Sequence, residues 1–256
     1  MTKKVSIVNT RRSKLIAKLY ELRILADYIR EDQDCERVQI YSSPDIEKAY
    51  LRPIRCSEEF RDVDINELVN KLDLLHWNSN NLFISYNSLD SPIYHLRDLS
   101  TDGILHHISQ EIINDFKENF RSFIYETYET EIEYLFILSR SGDWLILEGD
   151  IHRVSIPRIN DVIASIHTHP ASSCIPSRAD LETMIDLLTS GGVLFGVVSR
   201  SCLLSAELTN FISEFTYEKL MYFLNNYDKF VQFIMKNSDG LIRIGDDIIF
   251  RVRYDI

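Results

Sequence analysis

From about residue 103 onward, apolar segments of helix length alternate with apolar segments of strand length. Apolar residues three or four positions apart indicate helices with one buried face, and short apolar runs between turn residues indicate strands. Such an alternation favours a sheet with helices packed on it, because neither kind of element buries its apolar face alone. The sequence therefore predicts an α+β or α/β fold with a mixed β-sheet flanked by helices. The predicted helices cover 102–126, 180–188 and 210–236, and the predicted strands cover 134–139, 144–148, 161–166, 193–199, 202–207 and a closing hairpin over 241–254.

The first hundred residues have a less regular pattern. Helices are predicted over 13–30 and over 64–75, where Asp64 is an N-cap candidate, and strands over 5–8, 37–41 and 82–86. A polar, turn-rich stretch then places a soft boundary over 87–101. We predict a smaller mixed α/β region over residues 1–100 and a second domain over 101–256. The role of the first region stays open between substrate recognition, homodimerisation and docking of a partner protein.

The acidic composition restricts the partners of the chain. Its 256 residues include 28 Lys and Arg against 39 Asp and Glu, a formal net charge of −11. That balance disfavours nucleic acid binding, and no apolar run approaches the ~18 residues that span a bilayer. The basic N-terminus is followed by no apolar signal segment, and the four cysteines are scattered without a CxxC pair. We expect a cytoplasmic protein that binds neither nucleic acid nor membrane.

One segment, SIHTHPASSCIPSRAD, combines metal-binding residue types. His167 and His169 lie two positions apart at the end of a predicted strand, so both imidazoles point to the same face. Asp180 closes an S-x-x-D pattern at a predicted helix start, from which a carboxylate can reach the strand end. Two His and one carboxylate leave one tetrahedral position open, which is typical of catalytic zinc. Each piece also has a plain interpretation, because S-x-x-D is a common helix cap and an isolated H-x-H is a weak metal signal.

Together these pieces resemble the JAMM motif of the JAB/MPN metalloprotease family. The resemblance consists of H-x-H-P, seven residues between His169 and Ser177, and then S-x-x-D, and it covers roughly residues 103–254. It implies a cytidine deaminase-like fold, a bound Zn²⁺ and cleavage of peptide or isopeptide bonds at the C-terminus of ubiquitin-like proteins. Some prokaryotic members act instead on small sulfur carriers or cysteine conjugates. Glu133, the best match to a glutamate of the family, lies only 34 positions before His167, which leaves little room for the flap of the eukaryotic deubiquitinases. A compact prokaryotic-type enzyme is therefore expected; alternatively, another protein or the N-terminal region supplies the flap.

The family also implies a glutamate upstream that accepts a proton from water and passes it to the leaving amine. Glu133, before the run YLFILS, matches best, and Glu131 is the nearest competitor, ahead of Glu129 and Glu148. Arg140 and Phe136 stand where the family often has small residues, which bears on the choice of glutamate and not on the metal ligands. The resemblance gives Ser177 the role of donor to the oxyanion, whereas its place in the sequence equally fits a helix cap.

Two other interpretations compete with a hydrolase. Some members of the family have lost ligands and serve as non-catalytic scaffolds in protein complexes, although this chain retains all three ligand positions. Alternatively, a fourth ligand closes the site and the metal is structural, in which case removing it should unfold the domain.

Overall fold

The computed structural model of the protein describes residues 4–43, 45–57, 64–84, 97–98, 101–151, 161–237 and 241–254. Its contacts divide the chain into two compact units. One unit contains Met1–Lys14 together with Ser109–Ile256, and the other contains Leu15–Ile108. The predicted boundary after residue 100 places the first strand and the sheet with which it pairs in different domains. The sequence does not reveal this pairing, because contacts between residues so far apart in the chain leave no local signal.

The first unit is built on an eight-stranded mixed sheet whose strands are β1 Lys4–Val8, β6 Ile132–Ser139, β7 Trp144–Ile151, β8 Val162–Thr168, β9 Leu194–Val198, β10 Leu203–Leu208, β11 Leu241–Ile244 and β12 Ile248–Arg253. They lie in the order β1-β7-β6-β8-β9-β10-β12-β11. Its pairs are antiparallel except for β8 and β9, which run parallel. The central strands β8, β9 and β10 are buried almost throughout, as expected of a sheet covered on both faces.

Helices cover this sheet as the apolar pattern predicts. The helix α3 (Thr101–Thr130) contributes Phe116 and Phe120, whose rings pack against Phe136 and Trp144 of the sheet. On the opposite face, α4 (Arg178–Thr189) buries Leu181, Met184, Ile185 and Leu188. The predicted mixed sheet with flanking helices is confirmed, as are the β6–β7 hairpin and the closing β11–β12 hairpin.

The single helix predicted over 210–236 is wrong. The chain forms α5 (Glu214–Asn225) and α6 (Tyr227–Lys236), with Asn226 between them at φ −127° and ψ 61°. Apolar residues continue at helical spacing across this break, so periodicity alone does not reveal it. The break makes Tyr227 the first residue of a new helix.

The second unit holds a four-stranded sheet whose strands are β2 Arg37–Ser42, β3 Ala49–Ile54, β4 Leu82–Ile84 and β5 Arg97–Asp98. They lie in the order β4-β3-β2-β5. Its helices are α1 (Arg11–Asp32), which begins in the first unit, and α2 (Ile65–Lys71), which Asp64 caps as predicted. A disulfide joins Cys35 to Cys56. The sequence pattern does not predict β3 and β5. Among the described residues, no helix is both long and apolar enough to cross a bilayer.

Candidate metal centre

His167 and His169 lie at the end of β8 and point to the same face of the sheet. Their Nε2 atoms are 2.9 Å apart. Thr168, between them, faces the other way, where its hydroxyl forms a 2.6 Å hydrogen bond with Thr127 of α3 and accepts the N–H of Tyr134 at 2.8 Å. The backbone N–H of His169 donates to the carbonyl of Val198 at 2.7 Å. Strand pairing on both sides therefore holds the two imidazoles in place.

Asp180 is both a capping residue of α4 and a neighbour of the two imidazoles. Its backbone N–H donates to Ser177 Oγ at 3.2 Å, and the Ser177 N–H donates to Asp180 Oδ2 at 2.6 Å, which completes a capping box. The same carboxylate places Oδ1 3.3 Å from His167 Nε2 and Oδ2 3.3 Å from His169 Nε2. The cap orients the carboxylate toward the strand end, so the capping and ligand interpretations of this aspartate are compatible.

The three side chains fit a divalent cation. Ligand atoms about 2.0–2.1 Å from a tetrahedral zinc ion lie about 3.3–3.4 Å from one another. Both imidazole-to-carboxylate distances are 3.3 Å, and the imidazole-to-imidazole distance of 2.9 Å is somewhat shorter. His167 is buried, and the other two residues are half-buried. His167, His169 and Asp180 could therefore hold a metal ion with little rearrangement. Among the described residues, no other group of three or more His, Cys, Asp or Glu side chains lies close enough together to do so.

The charge state of Asp180 suits this role. Burial raises the pKa of its carboxyl group, but hydrogen bonds from His167, His169 and Ser177 lower it by more, so the net pKa lies well below the usual range. Asp180 therefore remains ionised at neutral pH, which is the form that binds cations.

A cleft of about 350 Å³ opens beside the centre, and Glu131, Glu133, His169, Pro170 and Ala171 line it. Leu135 pairs with His167, so the antiparallel register of β6 and β8 carries Glu133, two residues earlier on the same face, toward His169. Glu131 lies between α3 and β6, where its φ is 60°, and therefore does not belong to the strand. Both glutamates nevertheless reach the cleft.

The remaining candidates have distinct positions. Glu129 belongs to the end of α3, and Glu148 lies on β7, where it pairs with Tyr134 and with Lys4. Ser177 is exposed at the start of α4. Its capping bond uses a lone pair of Oγ, so the hydroxyl hydrogen is still able to donate to a substrate.

The loop between His169 and Ser177 is tied to the β9–β10 turn. A disulfide joins Cys174 to Cys202, and Ser199 Oγ donates to the carbonyl of Ser172 at 3.2 Å. Cys174 is buried. The sequence does not predict its disulfide, because a separation of 28 residues without a framework pattern carries no pairing signal.

Comparisons of the chain with protein-family models, with curated proteins and with solved structures found no match. The geometry of the described residues is therefore what bears on function.

Replacing His169 with Ala should abolish tight metal binding. The variant loses one of three ligands, so the zinc dissociation constant should rise by more than the about 10–100-fold that loss of an outer-shell partner costs. Competition with a chromophoric chelator measures this constant. His106→Ala, an exposed histidine on α3, is the matched control and should bind zinc like the parent. Equal affinities of His169→Ala and the parent would exclude this centre.

Removing the loop disulfide should weaken both the fold and the centre. Combining Cys174→Ala with Cys202→Ala removes a cross-link between residues 28 positions apart, so the unfolded chain gains conformational freedom. The free energy of unfolding should therefore fall by about 3–4 kcal/mol in denaturant titrations. Zinc affinity should fall too, because the loop leading to Ser177 loses its tether. The pair Cys35→Ala with Cys56→Ala is the control, since it should destabilise its own unit and leave zinc affinity unchanged. Zinc affinities that fall equally in both double variants would contradict a local role for the loop disulfide.

Proposed function

We propose that the protein is a zinc-dependent metallopeptidase that hydrolyses a peptide or isopeptide bond. The observation that carries this proposal is the convergence of His167, His169 and Asp180 beside a cleft that Glu133 also lines. Two imidazole nitrogens and one carboxylate oxygen form a donor set that suits Zn²⁺, and three protein ligands leave a coordination position for chemistry.

The side chains around the cleft divide the work of hydrolysis. When bound, Zn²⁺ would polarise the substrate carbonyl and acidify a water molecule. Glu133 would accept a proton from the attacking water and deliver it to the amine as the C–N bond breaks. The Ser177 hydroxyl would donate to the carbonyl oxygen while negative charge develops on it. The capping box holds Ser177 and Asp180 at one helix start, so donor and ligand keep a constant separation.

The resemblance to the JAMM motif supports a substrate class. It favours the C-terminus of a ubiquitin-like protein or of a small sulfur carrier. The cleft is compatible with an extended chain, because it is open to solvent and two small residues, Pro170 and Ala171, line it together with the glutamates. A non-catalytic scaffold would not need this arrangement of a glutamate beside three ligand side chains.

Glu133→Gln should separate binding from turnover. The amide keeps the shape of the side chain but cannot accept the proton, so kcat should fall by about 10²–10⁴-fold while zinc remains bound. Cleavage of ubiquitin-like and sulfur-carrier fusions, with metal analysis of the same samples, measures both properties.

Glu131→Gln is the matched control for this variant. It removes the same charge from the same cleft and should change kcat little if Glu133 is the base. A reversed pattern would move the role to Glu131, and full activity in both variants would refute a glutamate base. Cleavage activity in neither the parent nor the variants against any amide substrate would refute the proposed hydrolase and leave the scaffold and structural-metal interpretations.

Chelation should stop turnover without unfolding the protein. Strand pairing and the capping box place all three ligands without the help of an ion, so a metal-free protein should keep its far-ultraviolet circular dichroism and lose at least about 90% of its activity. Added Zn²⁺ should restore the rate. Cooperative loss of helix signal on chelation would instead favour a structural metal.

A further inference from the structure

Tyr227, the first residue of α6, contacts the loop that leads to the metal centre. Its hydroxyl donates to the carbonyl oxygen of Pro176 at 2.6 Å. The side chain is half-buried, and its ring lies against Phe230, with centroids 6.3 Å apart. This hydrogen bond connects two segments 51 residues apart in the sequence.

The accepting carbonyl belongs to the same peptide group as the N–H of Ser177. That N–H donates to Asp180 Oδ2 at 2.6 Å. The peptide group is planar, so a bond that fixes the carbonyl also fixes the direction of the N–H. One continuous chain therefore runs from the Tyr227 hydroxyl through the Pro176–Ser177 peptide to the carboxylate of Asp180. Each bond in such a chain polarises and strengthens the next.

Charge and burial keep this chain in its donating form. Burial raises the pKa of the Tyr227 hydroxyl, and the negative charges of Asp180 and Asp228 raise it further. The hydroxyl therefore keeps its proton at neutral pH.

We infer that Tyr227 is a positioning residue that orients the carboxylate of Asp180 through the Pro176–Ser177 peptide. The inference deepens the proposed function and rests on it only for its consequence in metal binding and turnover. The orientation of the peptide group itself does not require a metal. Without the hydroxyl, the peptide plane can rotate and the carboxylate loses one of the bonds that direct it toward the two imidazoles.

The test uses the full chain with Tyr227→Phe, and Tyr222→Phe on α5 as the control. Tyr222 is 47% exposed, so its hydroxyl can be removed without disturbing the core. In the metal-free protein, hydrogen exchange of the Ser177 amide should accelerate in Tyr227→Phe and not in Tyr222→Phe. A general loss of stability would accelerate exchange at all core amides, so selective acceleration at Ser177 identifies the positioning role.

Co²⁺ provides the second measurement, because its visible spectrum reports ligand geometry. Tyr227→Phe should weaken Co²⁺ binding by about 10–100-fold and alter the absorption bands, as loss of an outer-shell partner does. Unchanged amide exchange, or an unchanged Co²⁺ affinity and spectrum in a protein that binds Co²⁺, would overturn the inference. Failure of the parent to bind any Co²⁺ would instead refute the proposed function, while the exchange of Ser177 still decides whether Tyr227 orients this peptide.

Discussion

The alternation of side chains along β8 is the constraint on which the centre depends. His167 and His169 face α4, and Thr168 faces α3 through its bond to Thr127. Because β8 pairs with β6 on one side and β9 on the other, a slip of one residue would exchange the two faces. It would bring the imidazoles under α3 and turn the threonine hydroxyl toward Asp180. The register of one central strand thus decides whether the three candidate ligands meet at all.

The start of α4 adds the third candidate ligand, because one carboxylate both caps the helix and approaches the imidazoles. Asp180 caps the helix through the Ser177 N–H and also approaches both imidazoles. Groups from distant parts of the chain hold this helix start: the Cys174–Cys202 disulfide ties the preceding loop, and the Tyr227 hydroxyl ties Pro176. A candidate ligand set supported in this way is preorganised, so an ion could bind without ordering the chain.

Local patterns predicted much of the fold correctly. Helical and strand periodicity located most elements of the first unit, and the residue Asp64 marked the start of α2. The patterns failed where the local sequence carries no signal for a break or a pairing. Asn226 interrupts an apolar pattern that otherwise continues, and neither disulfide has a spacing that distinguishes it from scattered cysteines. Tyr227 carries no motif, because its importance arises only from the carbonyl that its hydroxyl meets.

The sequence by itself determined which groups are able to bind a metal, since H-x-H on a strand places both rings on one face and S-x-x-D places a carboxylate in the first helical turn. Only the tertiary structure decided that these pieces meet at 3.3 Å, that Glu133 and Glu131 both open into the adjoining cleft, and that Tyr227 supports the helix start. The physical reason is the distance along the chain over which each interaction acts. Strand alternation and helix capping act over a few residues, whereas sheet register and side-chain contacts between elements join residues that are far apart in the chain.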